Sequence, residues 1–417
     1  MFVHTSGRLT FMKTLRLIFV LLLVAVPAVA QGPDSTSLTR ERIQSAALGE
    51  LRSVFVVTPA GYAQSAERYP LLVLLDANDW DQFALARANV AFLAGRSAIP
   101  NLIVVGVPNA KDRTHDLTPP ATGASSRQFP TAGGADAFAD FIVKEVIPMV
   151  RAKYRALPTT ILAGHSFGGL FALHIAATRP GIFAGIIAMS PAMWWNDSTS
   201  VAAYADAIAK SSTTQRLFAT SGGLEPPIDV TTKRFATRLD SLKPRATAFA
   251  YRHYPQDTHG LTPAPSLVDG LRFVFAPISL AALPINQIGP NSDSASVVRA
   301  VLETEAGYAR GARSLGVSEL LPEPVLNQLG YNVLQALKKP TLAVWVFRKN
   351  VEKYPESANV YDSLGDGLLA EGDTAAAKTQ FRRAVDIATR TGDQVLAESR
   401  GKLEKLSQPA QAGTPKP

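Results

Sequence analysis

The sequence predicts an α/β protein with a mostly parallel sheet flanked by helices, followed by a small all-α domain. Between residues 52 and 280, short β-branched runs alternate with helical stretches, as strands joined by crossover helices do. Several runs are apolar throughout, which is typical of strands buried on both faces. Beyond residue 296 the strand signals vanish, and Ala, Leu, Lys and Glu recur at helical spacing.

The first thirty residues have the pattern of a secretory signal peptide. Three basic residues, Arg8, Lys13 and Arg16, precede an apolar run at 17–26, and small residues form an A-x-A site at 28–30. The apolar run is too short to span a bilayer. We therefore expect an exported protein, periplasmic or extracellular, whose mature chain begins at residue 31.

An α/β domain is predicted over residues 31–290. The runs that we interpret as its strands are 53–59, 71–75, 102–107, 159–164, 185–190, 216–221 and 247–255. One of the helix candidates between them covers 135–154. Active sites in such sheets lie at the carboxyl ends of the strands, so polar residues that follow strands are candidates for function.

A helical region is predicted over 296–407, with a disordered tail at 408–417. Two of its segments, 329–355 and 364–388, resemble each other, and Ala343 and Phe347 recur 34 residues later as Ala377 and Phe381. That period, with a small residue four positions before an aromatic one, resembles a tetratricopeptide repeat. A plain helical appendage with a chance period is the alternative.

Composition excludes several classes of function. The chain has no cysteine, which rules out disulfides, thiolate metal sites and a cysteine nucleophile. Its net charge of +8 is dispersed and forms no basic run, so nucleic acid is not an expected partner. Histidines and carboxylates do not cluster at metal-ligand spacing, and the sequence implies no metal and no organic cofactor.

The chemistry centres on one serine between glycines. Gly164, Ser166 and Gly168 form a G-x-S-x-G pattern at the end of a predicted strand and the start of a helix. Such a turn holds the serine in a strained conformation that lifts its Oγ above the sheet. The N–H of Phe167 then lies at the helix N-terminus, ready to bind an oxyanion. The alternative is a purely structural turn.

A serine nucleophile needs a base, and the chain has six histidines. His259 follows the last predicted strand on a polar loop and is the predicted base. The others suit the role less well: His4 lies in the signal, His115 precedes the serine, His174 is expected to pack within its helix, His253 lies in a strand, and His165 is expected to project away from the cleft.

The acid that completes a triad is expected between the serine and the histidine. The loop after the strand at 216–221 carries Glu225 and Asp229, and Glu225 is preferred because it lies nearer the strand end. Asp257 is the third candidate, but it lies only two positions before His259. That spacing suits a residue that orients the loop.

Several ordered motifs resemble the esterase family of α/β-hydrolases, in particular its siderophore-esterase-like branch. The matching stretches are "YPLLVLLDANDWDQF" (69–83), "RTHDLTP" (113–119), "GGADAFADFIVKEVIPMVRAKYR" (133–155), "AGHSFGGLFAL" (163–173) and "MSPAMWWND" (189–197). The resemblance implies Ser166 as nucleophile, His259 as base, and the backbone N–H groups of Asn78 and Phe167 as oxyanion donors. It also implies that helical repeats follow the hydrolase domain.

The predicted function is a secreted serine carboxylic-ester hydrolase that acts through an acyl-serine, on siderophore-type or other aromatic or acyl esters of small molecules. Arg113, Trp194 and Trp195 are the substrate-binding candidates. A salt bridge from Arg113 to Asp116, or burial of the tryptophans beneath a loop, is the alternative for each. An acyltransferase of the same fold, or an adaptor that binds a protein partner on its repeats, remains a rival function.

Overall fold

The computed structural model describes residues 36–64, 66–110 and 112–407. The predicted signal peptide and the predicted tail at 408–417 lie outside the described residues. In the described part of the chain, no helix is long and apolar enough to cross a membrane.

Within the described residues, eight strands form a single sheet in the order β1-β2-β4-β3-β5-β6-β7-β8. The two strands at one edge, β1 and β2, run antiparallel to their neighbours, and the remaining strands are parallel. Their bounds are β1 Ser37–Gln44, β2 Leu51–Thr58, β3 Tyr69–Leu75, β4 Ile103–Val107, β5 Ala156–His165, β6 Gly185–Met189, β7 Gln215–Gly222 and β8 Thr247–Tyr254. The seven predicted strands and the mostly parallel sheet are confirmed.

The sequence does not predict β1. Its residues, SLTRERIQ, are almost all polar and mostly exposed, so they lack the alternation that reveals a half-buried strand. β1 forms because its backbone pairs with β2 along the whole of both strands. Edge strands rich in charge are a common protection against pairing with other chains.

Helices cover both faces of the sheet. They are α1 Trp80–Gly95, α2 Arg113–Leu117, α3 Gly123–Gln128, α4 Ala135–Asp140, α5 Ile147–Lys153, α6 Phe167–Thr178, α7 Thr199–Lys210, α8 Pro226–Leu242 and α9 Pro263–Val274. A π-helical segment, Phe141–Val146, joins α4 to α5, so the helix predicted at 135–154 is present with altered hydrogen bonding in its middle. The two buried layers appear in β3, where Leu72 and Leu74 face one cluster and Leu71, Val73 and Leu75 the other.

The chain described up to residue 407 continues with the helices α10 Ser294–Leu315, α11 Glu323–Gln335, α12 Pro340–Lys353, α13 Ala358–Glu371, α14 Thr374–Thr391 and α15 Leu396–Ser407. Two pairs of them pack alike. A Cβ on Gly330 of α11 would meet the ring of Phe347 in α12, and a Cβ on Gly365 of α13 would meet the ring of Phe381 in α14. The tetratricopeptide class of these pairs stays a prediction.

The helical region shares a core with the sheet. One continuous cluster of buried side chains includes Leu72 and Ile161 of the sheet, Val301 of α10 and Phe347 of α12. Thr159 Oγ1 at the start of β5 donates to the carbonyl oxygens that end α10, at 2.6 Å to Leu315 and 2.8 Å to Gly316. Helix α10 begins at Ser294, two residues before the predicted start of the helical region at 296, because Asp293 caps it by accepting a hydrogen bond from Ser296 N.

Candidate active site

Ser166 lies in the turn between β5 and α6, at the carboxyl edge of the parallel strands. Its φ of 59° and ψ of −116° are strained for a residue with a side chain. The glycines around it are needed for close packing: a Cβ on Gly164 would lie 2.3 Å from Gly168 O, and one on Gly169 2.9 Å from Pro191 Cα. The turn therefore has the geometry of a nucleophile elbow.

Two backbone N–H groups, those of Asn78 and Phe167, are the predicted oxyanion donors. Phe167 is the first residue of α6, and Asn78 lies in the loop that follows β3. In the described residues, neither N–H has a backbone acceptor. Such free donors at the edge of the sheet are the parts from which oxyanion holes are built.

A polar network holds the loop that carries Asn78. Asp76, with φ of 58°, is bound by both Nε and Nη2 of Arg113, at 2.6 and 2.9 Å. Arg113 Nη2 also donates to His165 O at 3.2 Å, which ties this loop to the serine turn. Asn109, after β4, donates its backbone N–H to Asn78 Oδ1 at 2.9 Å and its amide to Asp76 Oδ1.

The partner of Arg113 differs from the predicted alternative. Asp116 is buried and forms a bidentate pair with Arg52, at 2.8 and 3.0 Å, so it is not available to Arg113. The reason is topological, because β2 brings Arg52 beside α2, and no local pattern reveals that contact. The Arg113 side chain is 37% exposed, but its guanidinium group is paired with the carboxylate of Asp76.

His259 and Glu225 form a hydrogen-bonded pair in the site. Nδ1 of His259 and Oε2 of Glu225 lie 2.5 Å apart, and Glu225 is only 6% exposed. Glu225 Oε1 also accepts from Ser190 Oγ at 2.6 Å and from Gly222 N at 2.5 Å. Burial alone raises the pKa of Glu225, but hydrogen bonds from His259, Ser190 and Gly222 outweigh it and hold that pKa below its usual value.

The two other candidate acids have different partners. Asp229, on α8, accepts from Ser221 Oγ and Lys233 Nζ, each at 2.6 Å. It also lies 3.4 Å from His253 Nε2. The carbonyl of Asp257 accepts from Leu224 N at 3.1 Å, which braces the loop that carries Glu225. The structure therefore favours Glu225 as the acid beside His259.

His165 occupies a different place from the expected one. Its ring stacks on that of His259, with centroids 4.3 Å apart, so it faces the site. Burial, followed by the nearby charge of His259, lowers the pKa of His165 to about 4. His165 is therefore neutral at pH 7. The expectation that it projects away from the cleft is wrong, because the bend of the strained turn carries the residue before the serine toward the histidine loop.

The serine and the histidine are near each other but not bonded. Among the described residues, Ser166 Oγ forms no hydrogen bond, while His259 lies against the residue that precedes the serine. Glu225 occupies Nδ1 of His259, which leaves Nε2 as the nitrogen that can accept a proton. Catalytic hydrogen bonds are often long in the absence of substrate and tighten when it binds.

The aromatic candidates separate into a core residue and a site residue. Trp195 is fully buried, so it is not accessible to a substrate, and its role as a binding residue is not supported. Trp194 is only partly buried. It lies 5.8 Å from the ring of Phe167 and 5.9 Å from that of Phe129. Phe129 therefore lies beside Trp194 and Phe167 in the candidate site. The sequence analysis missed it, because it lies in a loop that carries no motif.

The sequence also gives little sign of the supporting residues. Asp76, Asn109 and Ser190 each follow a strand end, which is the available signal, but their partners come from distant loops. His174 packs as expected, with Tyr204 OH at 3.1 Å from its Nδ1. Within 36–64, 66–110 and 112–407, no cluster of histidine and carboxylate groups has the form of a metal site.

Comparison with known proteins gives a family match. Residues 45–261, just over half of the chain, match the family model described as "Putative esterase". The siderophore triacetylfusarinine C esterase of Aspergillus fumigatus is 38% identical over 30% of this chain and 45% of its own length. The ferri-bacillibactin esterase of Bacillus subtilis is 31% identical over 31% of this chain and 49% of its own. The chain thus spans less than half the length of these curated relatives.

Solved structures share the architecture over a longer stretch. The IroE-like serine hydrolase of Shewanella oneidensis has a TM-score of 0.61 and 27% identity, covering 74% of this chain and 98% of that one. An uncharacterised protein of Capnocytophaga ochracea, 15% identical with a TM-score of 0.58, covers 89% of this chain and 99% of that one. The second likeness shows a common fold alone.

Proposed function

Because this chain belongs to the esterase family of α/β-hydrolases, we propose that it hydrolyses carboxylic esters through an acyl-serine on Ser166. The observation that carries the proposal is the buried Glu225–His259 pair, 2.5 Å long, beside a serine in a strained strand-to-helix turn. A nucleophile, a base and an orienting acid in that chain order are the parts of a serine hydrolase.

The first step is an attack by Ser166 on the ester carbonyl. As substrate binds, the serine hydroxyl turns toward Nε2 of His259, which removes its proton. Glu225 stays ionised, since its pKa is held below the usual value, and stabilises the imidazolium through Nδ1. The imidazolium then protonates the departing alcohol, and the acyl group remains on Ser166.

The second step releases the acid. His259 takes a proton from water, which attacks the acyl-serine, and the serine regains its proton as the ester bond breaks. In both steps the N–H groups of Asn78 and Phe167 hold the negative oxygen. An oxyanion donor of this kind is worth roughly 3 to 4 kcal/mol in the transition state. The Asp76, Arg113 and Asn109 network supports this by fixing the loop of Asn78.

Two observations support a proposal for the substrate class: the names of the relatives and a group of aromatic side chains beside the serine turn. Of the two curated relatives, one is named as a siderophore triacetylfusarinine C esterase and the other as a ferri-bacillibactin esterase. In this chain, Phe129, Phe167 and Trp194 form an aromatic surface next to the serine turn. We propose siderophore-type esters, or other esters of aromatic acids, as substrates. Aromatic rings stack on such a surface with favourable geometry.

The test of the reaction is turnover of 4-nitrophenyl acetate by the protein and by its Ser166→Ala variant. We expect activity that depends on Ser166, with a loss of at least about a thousandfold in the variant. A folded variant that retains full turnover contradicts the proposal. Analysis of products with an added alcohol distinguishes hydrolysis from acyl transfer, because a transferase yields the new ester.

The identity of the acid is tested by a matched pair of variants. Glu225→Gln removes the charge beside His259 and is expected to lower kcat about 10³- to 10⁴-fold. Asp229→Asn removes the charge of a nearby carboxylate, which pairs with Lys233 and not with His259. This variant is expected to lower kcat less than about tenfold. A larger loss from Asp229→Asn than from Glu225→Gln reverses the assignment.

Export is proposed from the N-terminal pattern alone. A basic segment, an apolar run at 17–26 and an A-x-A site at 28–30 support cleavage after Ala30. N-terminal sequencing of the protein recovered from outside the cytoplasm is expected to begin at Gln31. Recovery of the intact N-terminus only from the cytoplasm contradicts export.

A further inference from the structure

A shallow cleft adjoins the oxyanion loop on the side of β4. Its volume is about 280 Å³, and its lining includes Asn78, Asn109, Phe55, Trp80 and Arg40. β2 runs antiparallel to β4, with Phe55 paired to Gly106, so the start of β2 reaches the carboxyl edge of the parallel strands. The cleft therefore lies on the same edge of the sheet as Ser166, next to the proposed oxyanion donor.

Trp80 provides the cleft with an aromatic surface. It begins α1, two residues after Asn78, and 53% of its surface is exposed. The ring is held on one side by Phe55 and Phe83, with centroids at 4.8 and 5.9 Å. Tryptophan is highly buried on average, so an exposed ring with a rigid support is a stacking surface that the fold leaves open.

Arg40 provides the cleft with a positive charge. It is exposed on β1, and its Nε donates to Ser53 Oγ at 3.1 Å. Within the described residues it pairs with no carboxylate. The other arginines of this edge differ: Arg52 pairs with Glu50 and Asp116, and Arg113 with Asp76. The positive charge of Arg40 is therefore available to a ligand.

We propose that this cleft, which we name the Trp80 cleft, binds an aromatic ring that carries a negative charge, as one part of the ester substrate. The proposal rests on the esterase function proposed above, and it adds the subsite that selects the substrate. The ring stacks on Trp80 while its anionic group meets the guanidinium of Arg40. A cavity of roughly 150 Å³ accommodates benzene, so the cleft has room for a substituted ring.

The Trp80 cleft is a better candidate for this role than the residues that the sequence indicated. The fork of Arg113 is occupied by Asp76, and Trp195 is buried. Trp80 and Arg40 instead combine an accessible ring with an unpaired cation beside the proposed oxyanion loop. The sequence does not indicate that Trp80 and Arg40 lie together, because Arg40 lies on the edge strand β1, which the sequence does not predict.

The test measures binding in a Ser166→Ala background, where no turnover interferes. Three ligands separate the two contributions: benzoate has a ring and a charge, benzyl alcohol has a ring only, and cyclohexanecarboxylate has a charge only. We expect benzoate to bind about three- to tenfold tighter than either of the others. In the Trp80→Ala variant, benzoate is expected to bind no tighter than cyclohexanecarboxylate. In the Arg40→Gln variant, benzoate is expected to bind no tighter than benzyl alcohol.

Two variants serve as matched controls. Phe92→Ala removes another exposed aromatic ring of α1, and Arg382→Gln removes an exposed arginine of α14. Both are expected to bind the three ligands as the parent does. Urea unfolding of all four variants shows whether each is folded, so that a loss of binding is not mistaken for a loss of structure.

The outcomes separate this proposal from the esterase function. Benzoate binding that neither Trp80→Ala nor Arg40→Gln weakens overturns the Trp80 cleft, whether or not esters are hydrolysed. Conversely, benzoate binding that depends on both residues, in a protein without Ser166-dependent turnover, supports the cleft and overturns the esterase. If both proposals hold, benzoate also inhibits 4-nitrophenyl acetate turnover competitively, about three- to tenfold less strongly in each variant.

Discussion

At the scale of residues, the site depends on which partner each charged group finds. Glu225 and Asp229 are four positions apart, yet one binds His259 and the other binds Lys233 and Ser221. Arg113 likewise binds Asp76 instead of its sequence neighbour Asp116. Which partner a carboxylate meets therefore depends on contacts made across the fold and not on its position in the sequence.

His165 makes a prediction about stability and pH. Its pKa is near 4 in the folded protein and near 6.5 when unfolded, so the unfolded chain binds more protons between these values. Its contribution to stability is complete above pH 6.5 and is lost as the pH falls toward 4. The groups that act on it are His259, Asp76, Arg113 and Glu225.

We test this with urea unfolding of the protein and of His165→Gln at pH 7 and pH 5. The free energy of unfolding is expected to fall more steeply with acid in the parent than in the variant, because glutamine does not titrate. An identical fall in both proteins means that other groups account for the acid sensitivity. The measurement does not depend on catalysis.

At the scale of elements, the strand-to-helix turn is held by the absence of side chains. Gly164 and Gly168 approach so closely that β5 and α6 meet through their backbones. Helix α6 is buried along almost its whole length, which fixes its N-terminus beside Ser166. The strain at Ser166 is thus maintained by packing around it.

Gly164→Ala is expected to disturb this turn. Its Cβ would lie 2.3 Å from Gly168 O, so the backbone must shift, and overpacking of this kind costs about 1 to 3 kcal/mol. We expect at least about a tenfold loss of kcat together with a lower unfolding midpoint. The control is Gly95→Ala at the end of α1, where a Cβ meets nothing within 4 Å. Equal stability and turnover in the two variants contradicts the packing argument.

At the scale of the whole molecule, the helical region shares one apolar cluster with one face of the sheet. Helix α10 buries Val297, Val301, Tyr308 and Leu315, and a Cβ on its Gly311 would lie 1.9 Å from Pro277 O of the segment after α9. The cluster continues from there to α12. Full burial of one large apolar side chain is worth about 1.5 to 3 kcal/mol, so this contact stabilises both parts. This arrangement favours the interpretation that the helical region stabilises the hydrolase part, over the interpretation that it is an independently folded module.

Removal of residues 294–417 is therefore expected to destabilise the hydrolase part. We predict a lower unfolding midpoint, faster proteolysis and loss of turnover in the truncated protein. Val301→Ala in the full chain gives a milder test, in which turnover and helical circular dichroism are expected to be lost in one shared transition at lower urea. A truncated protein with the parent's midpoint and turnover contradicts this stabilising role and leaves the helices free for a partner.

The sequence alone determined the local features of this protein. Seven strands, the helices between them, the serine turn and the choice of His259 as the candidate base follow from apolar runs, glycine spacing and chain order, which can be read along the chain. The sequence did not predict the edge strand β1, because its polar residues are held by backbone pairing with β2 and show no apolar pattern.

Only the tertiary structure decided the long-range contacts. It showed that Glu225 faces His259, that His165 turns into the site, that Trp195 is buried while Trp80 is exposed, and that the helices join the core of the sheet. Each of these depends on residues far apart in the chain meeting at one edge or face of the sheet. A pattern of residue types fixes local conformation, whereas the choice among several chemically equivalent partners is made by the fold.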